Sequence, residues 1–438
     1  MAPITKTLLD AVEKKTNRIV KLTSDLVKFN TTSPNPGQEP FDDQRCQEYV
    51  SEQLKQLDFK VDLWEPDINK LSHHPFYIRG QNFNNRPILA ARLNGSGGGR
   101  SLILNAHIDV VPADNGSKWK HDPWGGEVKD GKVFGRGSCD MKAGAAAIIA
   151  AAEVISNSKV ELKGDLIIET VLDEEINGMG TVACIDRGYK ADAAIIPEPS
   201  NLNLWIATRG LLWAKAIVDG RSGHAELNHP HWTEGGAVNA IEKASQILCA
   251  FRSLELDWTR RSTKKHELLS TPRIVPTIIK SGDFWATIPD KCEIEMDIQY
   301  LPADRDEKGY GSKVKKEIED HLSRSCQADT WLARHPARIE WIMDLPPMEV
   351  ERNHPLVRNV ASAAEAVSVK PQISALDSWD DGAHLMNLAR IPSISIGPGP
   401  TEQAHVVDEF VLVETTVRTA KVLCVATADW CGISSLKG

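Results

Sequence analysis

The sequence predicts an α/β fold in which a mostly parallel sheet is covered by helices and interrupted by an inserted α+β unit. Between residues 60 and 196, apolar strand-like runs alternate with helical segments, which is typical of a parallel sheet covered on both faces. Residues 211–343 instead follow the order β-α-β-β-α-β of a ferredoxin-like unit. From residue 354 the first pattern resumes, so the ferredoxin-like unit lies within the first domain.

The chain length also predicts two domains. A chain of 438 residues is longer than one hydrophobic core usually supports. We place the first domain at residues 1–210 and 349–438, and the inserted domain at residues 211–348. The hydrophobic content of 41% and the charged content of 25% are ordinary for a globular enzyme, so composition raises no objection to two packed cores.

The individual elements follow from the spacing of apolar residues and from turn signals. Apolar residues at helical spacing predict amphipathic helices, and residues 143–155 are rich in alanine, a strong helix former. In the first domain the predicted helices are 8–27, 42–57, 143–155, 181–187, 354–367 and 411–429, and the predicted strands are 60–64, 87–93, 102–106, 166–172, 192–196 and 392–396. In the inserted domain the predicted strands are 211–218, 273–279, 291–300 and 337–343, and the predicted helices are 235–256 and 312–325.

Charge, hydropathy and cysteine usage exclude several classes of protein. The net charge of −9 argues against nucleic acid as a partner, and no apolar run reaches the length of a transmembrane helix. The first twenty residues form a charged amphipathic segment without the apolar core of a signal peptide. Eight cysteines are scattered without a C-x-x-C pair, which suits a reducing compartment. We therefore expect a cytoplasmic protein without a membrane partner.

Acidic and imidazole side chains follow four of the predicted buried strands. They are His107 and Asp109 after strand 102–106, Asp173, Glu174 and Glu175 after strand 166–172, Glu198 after strand 192–196, and His405 after strand 392–396. Asp140 lies just ahead of the alanine-rich helix. In open α/β sheets ligands bind at the carboxyl ends of the strands. One such residue alone would indicate a turn or a solvated acidic loop, whereas four on one edge indicate a metal site.

The residue types favour zinc or a similar divalent ion, because imidazole and carboxylate are present and thiolate is absent from the set. Two neighbouring ions need one bridging carboxylate and about two terminal ligands each. That count is met by His107, Asp140, Glu175, Glu198 and His405. Asp140 is the natural bridge. Asp109 can orient the imidazole of His107 without binding the metal itself, and Glu174 can act as general base. Cys139 is a weaker candidate for a nucleophile, because carboxylates surround it.

These motifs resemble the dizinc aminoacylase and carboxypeptidase family, which includes acetylornithine deacetylase and succinyl-diaminopimelate desuccinylase. The resemblance rests on His107-x-Asp109, Gly137-Ser-Cys-Asp140-Met-Lys, Asp173-Glu-Glu175, Glu198-Pro-Ser, Thr208-Arg-Gly210, Gly220-Arg-Ser-Gly-His224-Ala-Glu and Ala404-His405. It spans the chain from about the first helix to the last. It implies a zinc-hydrolase catalytic domain with the inserted domain as a lid and dimerisation domain.

The resemblance also implies a role for each residue. His107 and Glu198 would bind one zinc, Glu175 and His405 the other, and Asp140 would bridge them. Glu174 would be the general base and Asp109 would orient His107. His224 would reach the active site of the partner subunit in a homodimer, where it would polarise the scissile carbonyl and stabilise the oxyanion.

Two positions depart from the family pattern. Ala286 and Gln299 stand where members that bind an α-carboxylate carry Asn and Arg, so a bidentate clamp on a carboxylate is lost unless another residue replaces it. Trp285 and Tyr300 are candidates for a more apolar pocket or for the core of the inserted domain, and residues 379–384 are a further candidate pocket edge.

The sequence therefore predicts a hydrolase that removes an N-acyl group from an amine or amino acid, using water activated by two zinc ions, for which cobalt or manganese are possible substitutes. The substrate would be a small N-acyl amide or a peptide-like molecule. A dipeptidase or carboxypeptidase of the same family is the first alternative. A metal-bound scaffold without activity is the second, and the presence of Glu174 and His224 argues against it because a structural metal site requires neither residue.

Overall fold

The computed structural model describes residues 3–35, 37–113, 118–158 and 160–436. The chain divides into two compact units. Unit 1 comprises Met1–Ala207, Met348–Ala375 and Asp380–Gly438, and unit 2 comprises Thr208–Pro347 and Leu376–Trp379. The short segment 376–379 therefore groups with unit 2. The lid and dimerisation roles of the inserted domain stay predictions.

The described residues form helices and strands in the following order. The helices are α1 Pro3–Glu13, α2 Thr16–Val27, α3 Asp43–Lys55, α4 Ile68–Leu71, α5 Ala143–Asn157, α6 Met179–Asp186, α7 Ala240–Arg260, α8 Ser312–Cys326, α9 Pro355–Ala366, α10 Gly382–Ala389 and α11 Val413–Cys431. The strands are β1 Lys60–Trp64, β2 Ile88–Leu93, β3 Leu102–His107, β4 Val128–Lys129, β5 Lys132–Phe134, β6 Val160–Leu162, β7 Leu166–Val171, β8 Ala194–Ile196, β9 Leu204–Thr208, β10 Gly210–Asp219, β11 Gly223–His224, β12 Arg273–Ser281, β13 Thr287–Ile288, β14 Lys291–Tyr300, β15 Arg338–Leu345, β16 Ile373–Leu376, β17 Ser393–Ser395, β18 Phe410–Leu412 and β19 Ile433–Leu436.

The main sheet of unit 1 has eight strands in the order β1-β2-β7-β3-β8-β17-β9-β16. Its four central strands, β7, β3, β8 and β17, are parallel, whereas β1, β2 and β9 pair antiparallel at the margins. The predicted α/β class with a mostly parallel sheet is thereby confirmed, with antiparallel strands added on both sides. All six residues of β3 are buried, as expected for a strand covered on both faces.

The register of the central strands brings their carboxyl ends to one edge. His107 at the end of β3 lies opposite Val171 at the end of β7, and Ser395 of β17 lies opposite Ile196 of β8. The segments that follow these strands begin at the same edge, because parallel strands end on the same side. The topology alone therefore gathers the acidic and imidazole residues that follow them.

Helix α5 shows why this part of the chain is rich in alanine. Residues 143–152 are all buried, and α5 contacts α11, α2 and β3. Small side chains let the helix lie close to its neighbours. At Gly144, a Cβ atom would lie 2.4 Å from the carbonyl oxygen of Pro197, so only glycine fits beside the loop that carries Glu198.

The structure differs from the predicted elements at several places. The predicted helix 8–27 is two helices, α1 and α2, separated at Lys14 and Lys15, where the backbone leaves helical geometry at φ −94° and ψ 7°. The sequence analysis did not predict β9, β16 or α10. These elements are short and apolar runs of their length have no distinctive period, so only the tertiary context defines them.

Unit 2 has the predicted ferredoxin-like arrangement. Its strands pair antiparallel in the order β12-β14-β10-β15, and α7 and α8 pack together on the sheet. Along β14 the residues alternate between buried and half-exposed, so one face of the sheet carries the core. Tyr300 belongs to that core, where its hydroxyl donates to the carbonyl oxygen of Leu345 at 2.9 Å. Within the described part of the chain, no helix has the length and apolar character needed to cross a membrane.

Candidate metal centre

The edge of the unit 1 sheet holds a first group of three potential metal ligands. Nε2 of His107 lies 3.2 Å from Oδ1 of Asp140 and 3.8 Å from Oε1 of Glu198. One ligand atom from each of the three residues lies within 4.8 Å of the others. His107 comes from the end of β3, Asp140 from the turn before α5, and Glu198 from the loop after β8. The three donors surround a space in which a single ion could contact each of them.

A second group shares Asp140 with the first. Nε2 of His405 lies 3.4 Å from Oδ2 of Asp140 and 2.9 Å from Oε2 of Glu175. These donor atoms also lie within 4.8 Å of one another. Asp140 therefore directs one carboxylate oxygen toward each group, which is the geometry that a bridging ligand needs. Glu175 is mostly buried, whereas about half of the His405 side chain is exposed, so the second group lies nearer to solvent.

The electrostatics of the cluster favour a bound cation. Burial raises the pKa of the Glu174 and Glu198 carboxyl groups well above their usual values and that of Glu175 to about 7. The contacts with Asp140 and Glu175 raise the pKa of His405 to about 10. Several carboxylates in so small a buried volume cannot all carry their charge unless a positive charge compensates them.

Unpartnered oxygen atoms provide an independent test of whether the residues fit a metal ion. Oε1 of Glu175 and Oε1 of Glu198 are buried and accept no hydrogen bond from the described residues. A buried carboxylate oxygen without a partner costs free energy, and a cation supplies the missing partner. The donor set of two imidazoles and three carboxylates suits zinc, cobalt or manganese. The residues present therefore fit the metal ions that the sequence predicts.

Asp109 contacts His107 in a way that the sequence analysis did not predict. The main-chain oxygen of Asp109 accepts a hydrogen bond from Nδ1 of His107 at 2.9 Å. A carbonyl oxygen only accepts, so Nδ1 carries the proton and Nε2 is free to bind a metal. The Asp109 carboxylate lies farther away, with Oδ1 3.7 Å from Nδ1. It accepts instead from the main-chain N–H groups of Glu174 and Glu175 at 3.3 and 3.2 Å.

Glu174 lies beside the first group without belonging to either group. Its Oε2 is 3.8 Å from Nε2 of His107, and the side chain is about nine-tenths buried. No hydrogen bond to its carboxylate is present within the described part of the chain. A carboxylate at this position, with its pKa raised by burial, can accept a proton from water that reaches the cluster.

Glu409 is a residue of this site that the sequence analysis missed. Its Oε1 accepts from the main-chain N–H groups of Cys139 and Asp140 at 2.8 and 3.1 Å. Its Oε2 accepts from the guanidinium of Arg136 at 2.7 Å and from the N–H of Gly137 at 3.1 Å. Glu409 therefore fixes the turn that presents Asp140. Only its closeness to His405 in the sequence hinted at such a role, since Glu-Phe at the start of a strand is a common surface pattern.

Cys139 lies in the same turn but does not have the properties of a nucleophile. It is fully buried, and burial together with the Glu409 carboxylate raises the pKa of its thiol well above the usual value. A reactive cysteine needs the thiolate and access to substrate. The carboxylates, and not this thiol, therefore stay the candidates for the chemistry of the cluster.

His224, the remaining predicted site residue, lies in unit 2 and outside the cluster. It is exposed on the two-stranded ribbon formed by β11 and β13, where it pairs with Thr287. Trp285 on the same ribbon is fully exposed, so it is not part of the unit 2 core. The main-chain oxygen of Ala286 accepts from Ala225 at 2.9 Å.

Gln299, the other departure from the family pattern, is held by Arg209. The guanidinium Nη1 of Arg209 donates to Oε1 of Gln299 at 3.0 Å, and Nε and Nη2 donate to Oδ1 of Asp377 at 3.0 and 2.9 Å. Arg209 is buried and its donors are used within unit 2. It is therefore not free to replace the Arg that the family pattern expects at position 299.

The fold and the cluster together define a metal-dependent hydrolase with an α/β catalytic domain. Comparison with known proteins names the family. Residues 103–428 match the model of peptidase family M20/M25/M40, and the chain belongs to that family. It is accordingly a metal-dependent hydrolase of amide bonds, as the sequence predicts.

Similarity to individual proteins extends over nearly the whole chain. The chain is 29% identical to N-formyl-4-amino-5-aminomethyl-2-methylpyrimidine deformylase of Bacillus subtilis, over 96% of each chain. It is 27% identical to acetylornithine deacetylase of Vibrio vulnificus, over 92% of this chain and 96% of that protein. The di-peptidase Dug1p of Saccharomyces cerevisiae has a similar structure, with a TM-score of 0.74, 15% identity and coverage of 98% of this chain and 99% of that one. The last likeness shows that the fold is shared.

Proposed function

We propose that this protein removes an N-acyl group from an amine by hydrolysis, with two zinc ions bound at the edge of the unit 1 sheet. His107 and Glu198 would hold one ion, Glu175 and His405 the other, and Asp140 would bridge them. The observation that carries this proposal is the pair of ligand groups that share Asp140, with Glu174 beside His107. When bound, the ions would polarise the scissile carbonyl and lower the pKa of water.

The residues of the chain would move the proton. Glu174 would take a proton from the water that attacks the carbonyl carbon, and would pass it to the leaving nitrogen as the C–N bond breaks. The products are a carboxylic acid and an amine, so one water is consumed and no other reactant is needed. Asp109 would keep Glu174 in place through the N–H groups of residues 174 and 175.

A formyl or other small acyl group is the favoured acyl half of the substrate, and it is released as the acid. This choice rests on the deformylase and deacetylase names of the relatives and on the lack of a free cation at Gln299. A dipeptidase or carboxypeptidase would need a partner for the carboxylate of its substrate. At this place in unit 2 the guanidinium of Arg209 is already bound by Asp377 and Gln299.

We further propose a cytoplasmic homodimer in which His224 of one subunit contacts the substrate in the other. The eight cysteines are all free, which supports a reducing compartment. The exposed position of His224 on a ribbon of unit 2 supports a role outside its own unit. Sedimentation tests the dimer, and activity restored by mixing His224→Ala with Glu174→Gln subunits tests the shared site.

The deciding experiment measures turnover by zinc-loaded protein on a matched panel of amides. The panel contains formyl, acetyl, succinyl and aminoacyl amides, each with a free and a blocked α-carboxylate. We expect turnover of small acyl amides that is indifferent to the carboxylate. A strict requirement for a free carboxylate would favour the dipeptidase or carboxypeptidase, and no turnover of any amide with metal bound would refute the proposal.

A further inference from the structure

Within the described residues of unit 2, one face of the sheet is covered by no helix of that unit. Helices α7 and α8 pack on the other face, where alternate residues of β14 such as Ile294 and Met296 are buried. The residues between them, including Glu295 and Asp297, point to the open face because successive side chains of a strand alternate. A row of neighbours crosses this face, since Asp297 lies opposite Trp213 of β10 and opposite Val275 of β12.

This open face contains a cavity of about 580 Å³ within unit 2. Its lining includes Trp213, Val275, Ile278, Asp297, Gln299 and Ile342, together with the charged residues Arg273 and Glu295. Ile278 and Ile342 are 45% and 39% exposed, which is unusual for isoleucine and leaves apolar walls open to a ligand. A volume of this size lies within the range of small-molecule sites.

Asp297 is the polar centre of the cavity, and its charge has no cationic partner. Its Oδ2 accepts from the indole N–H of Trp213 at 3.1 Å, and its Oδ1 accepts from the amide of Gln299 at 3.0 Å. Both donors are neutral. No Lys or Arg of the described chain forms an ion pair with this carboxylate.

The neighbouring charges are already compensated. Glu295 pairs with Lys280 at 3.3 Å and with Lys215 at 3.7 Å. Arg273, which also lines the cavity, lies 3.7 Å from Glu255. Of the two carboxylates in the lining, Asp297 is therefore the one without an ion pair among the described residues.

We propose that this cavity binds a small organic cation, a protonated amine carried on a ring-sized apolar body. The ammonium group would donate to the Asp297 carboxylate, which has lone pairs left after two neutral hydrogen bonds. The apolar body would contact Val275, Ile278 and Ile342. The indole of Trp213 adds attraction for a cation, because an aromatic ring favours positive charge at its face.

This ligand chemistry matches an amine product, and in that respect the inference rests on the proposed function. The binding itself does not depend on hydrolysis. It is measured without turnover, so a failure of the binding site and a failure of the proposed reaction give different results.

The test is titration calorimetry of benzylammonium into the full chain at pH 7 in the presence of a chelator. We expect saturable binding to one site, weakened at least tenfold in Asp297→Asn. Asn keeps an acceptor for Trp213, so the fold is expected to survive. Ile342→Lys, at an exposed wall position, places a cation beside Asp297 and gives a second variant with the same expected loss.

Three controls separate the cavity from other acidic surfaces. Asp320→Asn on α8 removes an exposed carboxylate that pairs with Lys316, and it should leave binding unchanged. Glu175→Gln should also leave it unchanged, because Glu175 does not line the cavity. Benzyl alcohol and phenylacetate keep the ring without the positive charge, and neither should compete. Equal binding of benzyl alcohol, or unaltered affinity in both cavity variants, would overturn the proposal.

Discussion

The imidazole of His107 donates its Nδ1 proton to the main-chain oxygen of Asp109 at 2.9 Å, and the carboxylate of Asp109 lies beyond hydrogen-bond distance from that nitrogen. The backbone, and not the carboxylate, thus sets the tautomer of the histidine. The carboxylate is left to hold the main chain at residues 174 and 175. A side-chain substitution leaves the main-chain oxygen in place. Mutation of Asp109 can therefore change the contacts of the carboxylate while the hydrogen bond to His107 is kept.

Asp109→Asn should affect catalysis more than metal binding. His107 keeps its main-chain partner, so we expect metal affinity to fall by less than about tenfold, at or below the lower end of what loss of a supporting carboxylate usually costs. The kcat should fall further, because one acceptor for the main-chain N–H groups of Glu174 and Glu175 is lost. Competition with a chelating indicator and steady-state kinetics measure the two effects. Ser33→Ala, which removes a hydroxyl donor 2.7 Å from Oδ2, is the milder control. Complete loss of metal would contradict this assignment.

Glu174 and Glu175 form a natural matched pair. Glu174→Gln should lower kcat by about 10²–10⁴-fold while two ions remain bound, because a proton acceptor is lost and no ligand is. Glu175→Gln should instead lose one ion, since its oxygen lies 2.9 Å from His405. Metal analysis after gel filtration and kinetics on the same samples distinguish the two variants. If Glu174→Gln lost its metal with its activity, Glu174 would be a ligand and not the base.

Asp140 and His405 should differ in how many ions their loss removes. Asp140 contributes an oxygen to both groups, so Asp140→Asn is expected to release both ions. His405 belongs to one group, so His405→Ala should keep about one ion per chain. Metal content and the metal dependence of the melting temperature report the result. Equal stoichiometry in the two variants would show that Asp140 is not shared.

The buried carboxyl of Glu169 predicts a pH dependence of stability. Burial raises its pKa from 4.5 to about 7. The protonated form is therefore favoured in the folded state, so its contribution is fully present below pH 4.5 and is lost as the pH rises through 7, by about 3 kcal/mol in total. Glu169→Gln should flatten this slope between pH 4.5 and 7.5. Urea unfolding across that range measures it, with the exposed Glu52→Gln as control. A slope equal to that of the parent would show that Glu169 titrates normally.

The sequence located the residues of the cluster because parallel strands impose a simple rule. His107, Glu175, Glu198 and His405 follow buried apolar runs, and parallel strands that share a sheet end on one side. The prediction of these residues required no knowledge of other tertiary contacts. The fold class and the β-α-β-β-α-β unit were predicted from the periodicity of apolar residues. In long elements this periodicity does not depend on tertiary packing.

This rule could not predict residues whose role depends on tertiary contacts. Glu409 is far from Asp140 in the sequence and supports it only because β18 pairs with β5. The pairing of Arg209 with Asp377 joins residues separated by 168 positions. The predicted role of the Asp109 carboxylate was plausible from its spacing, but spacing cannot tell a side-chain oxygen from a main-chain one. Such details are set by three-dimensional distance.

Strand β17 has a consequence for the order in which the protein can be assembled. It comprises residues 393–395, yet it lies between β8 and β9, which end at residues 196 and 208, ahead of nearly all of unit 2. When synthesis has reached residue 347, the long segment of unit 2 is present. The unit 1 sheet still lacks its central strand β17 at that stage. Since domains generally fold as they emerge, unit 2 is expected to mature first. The first ligand group, His107, Asp140 and Glu198, is already synthesised at that stage, whereas His405 is not. The first group is therefore complete in the chain before the second.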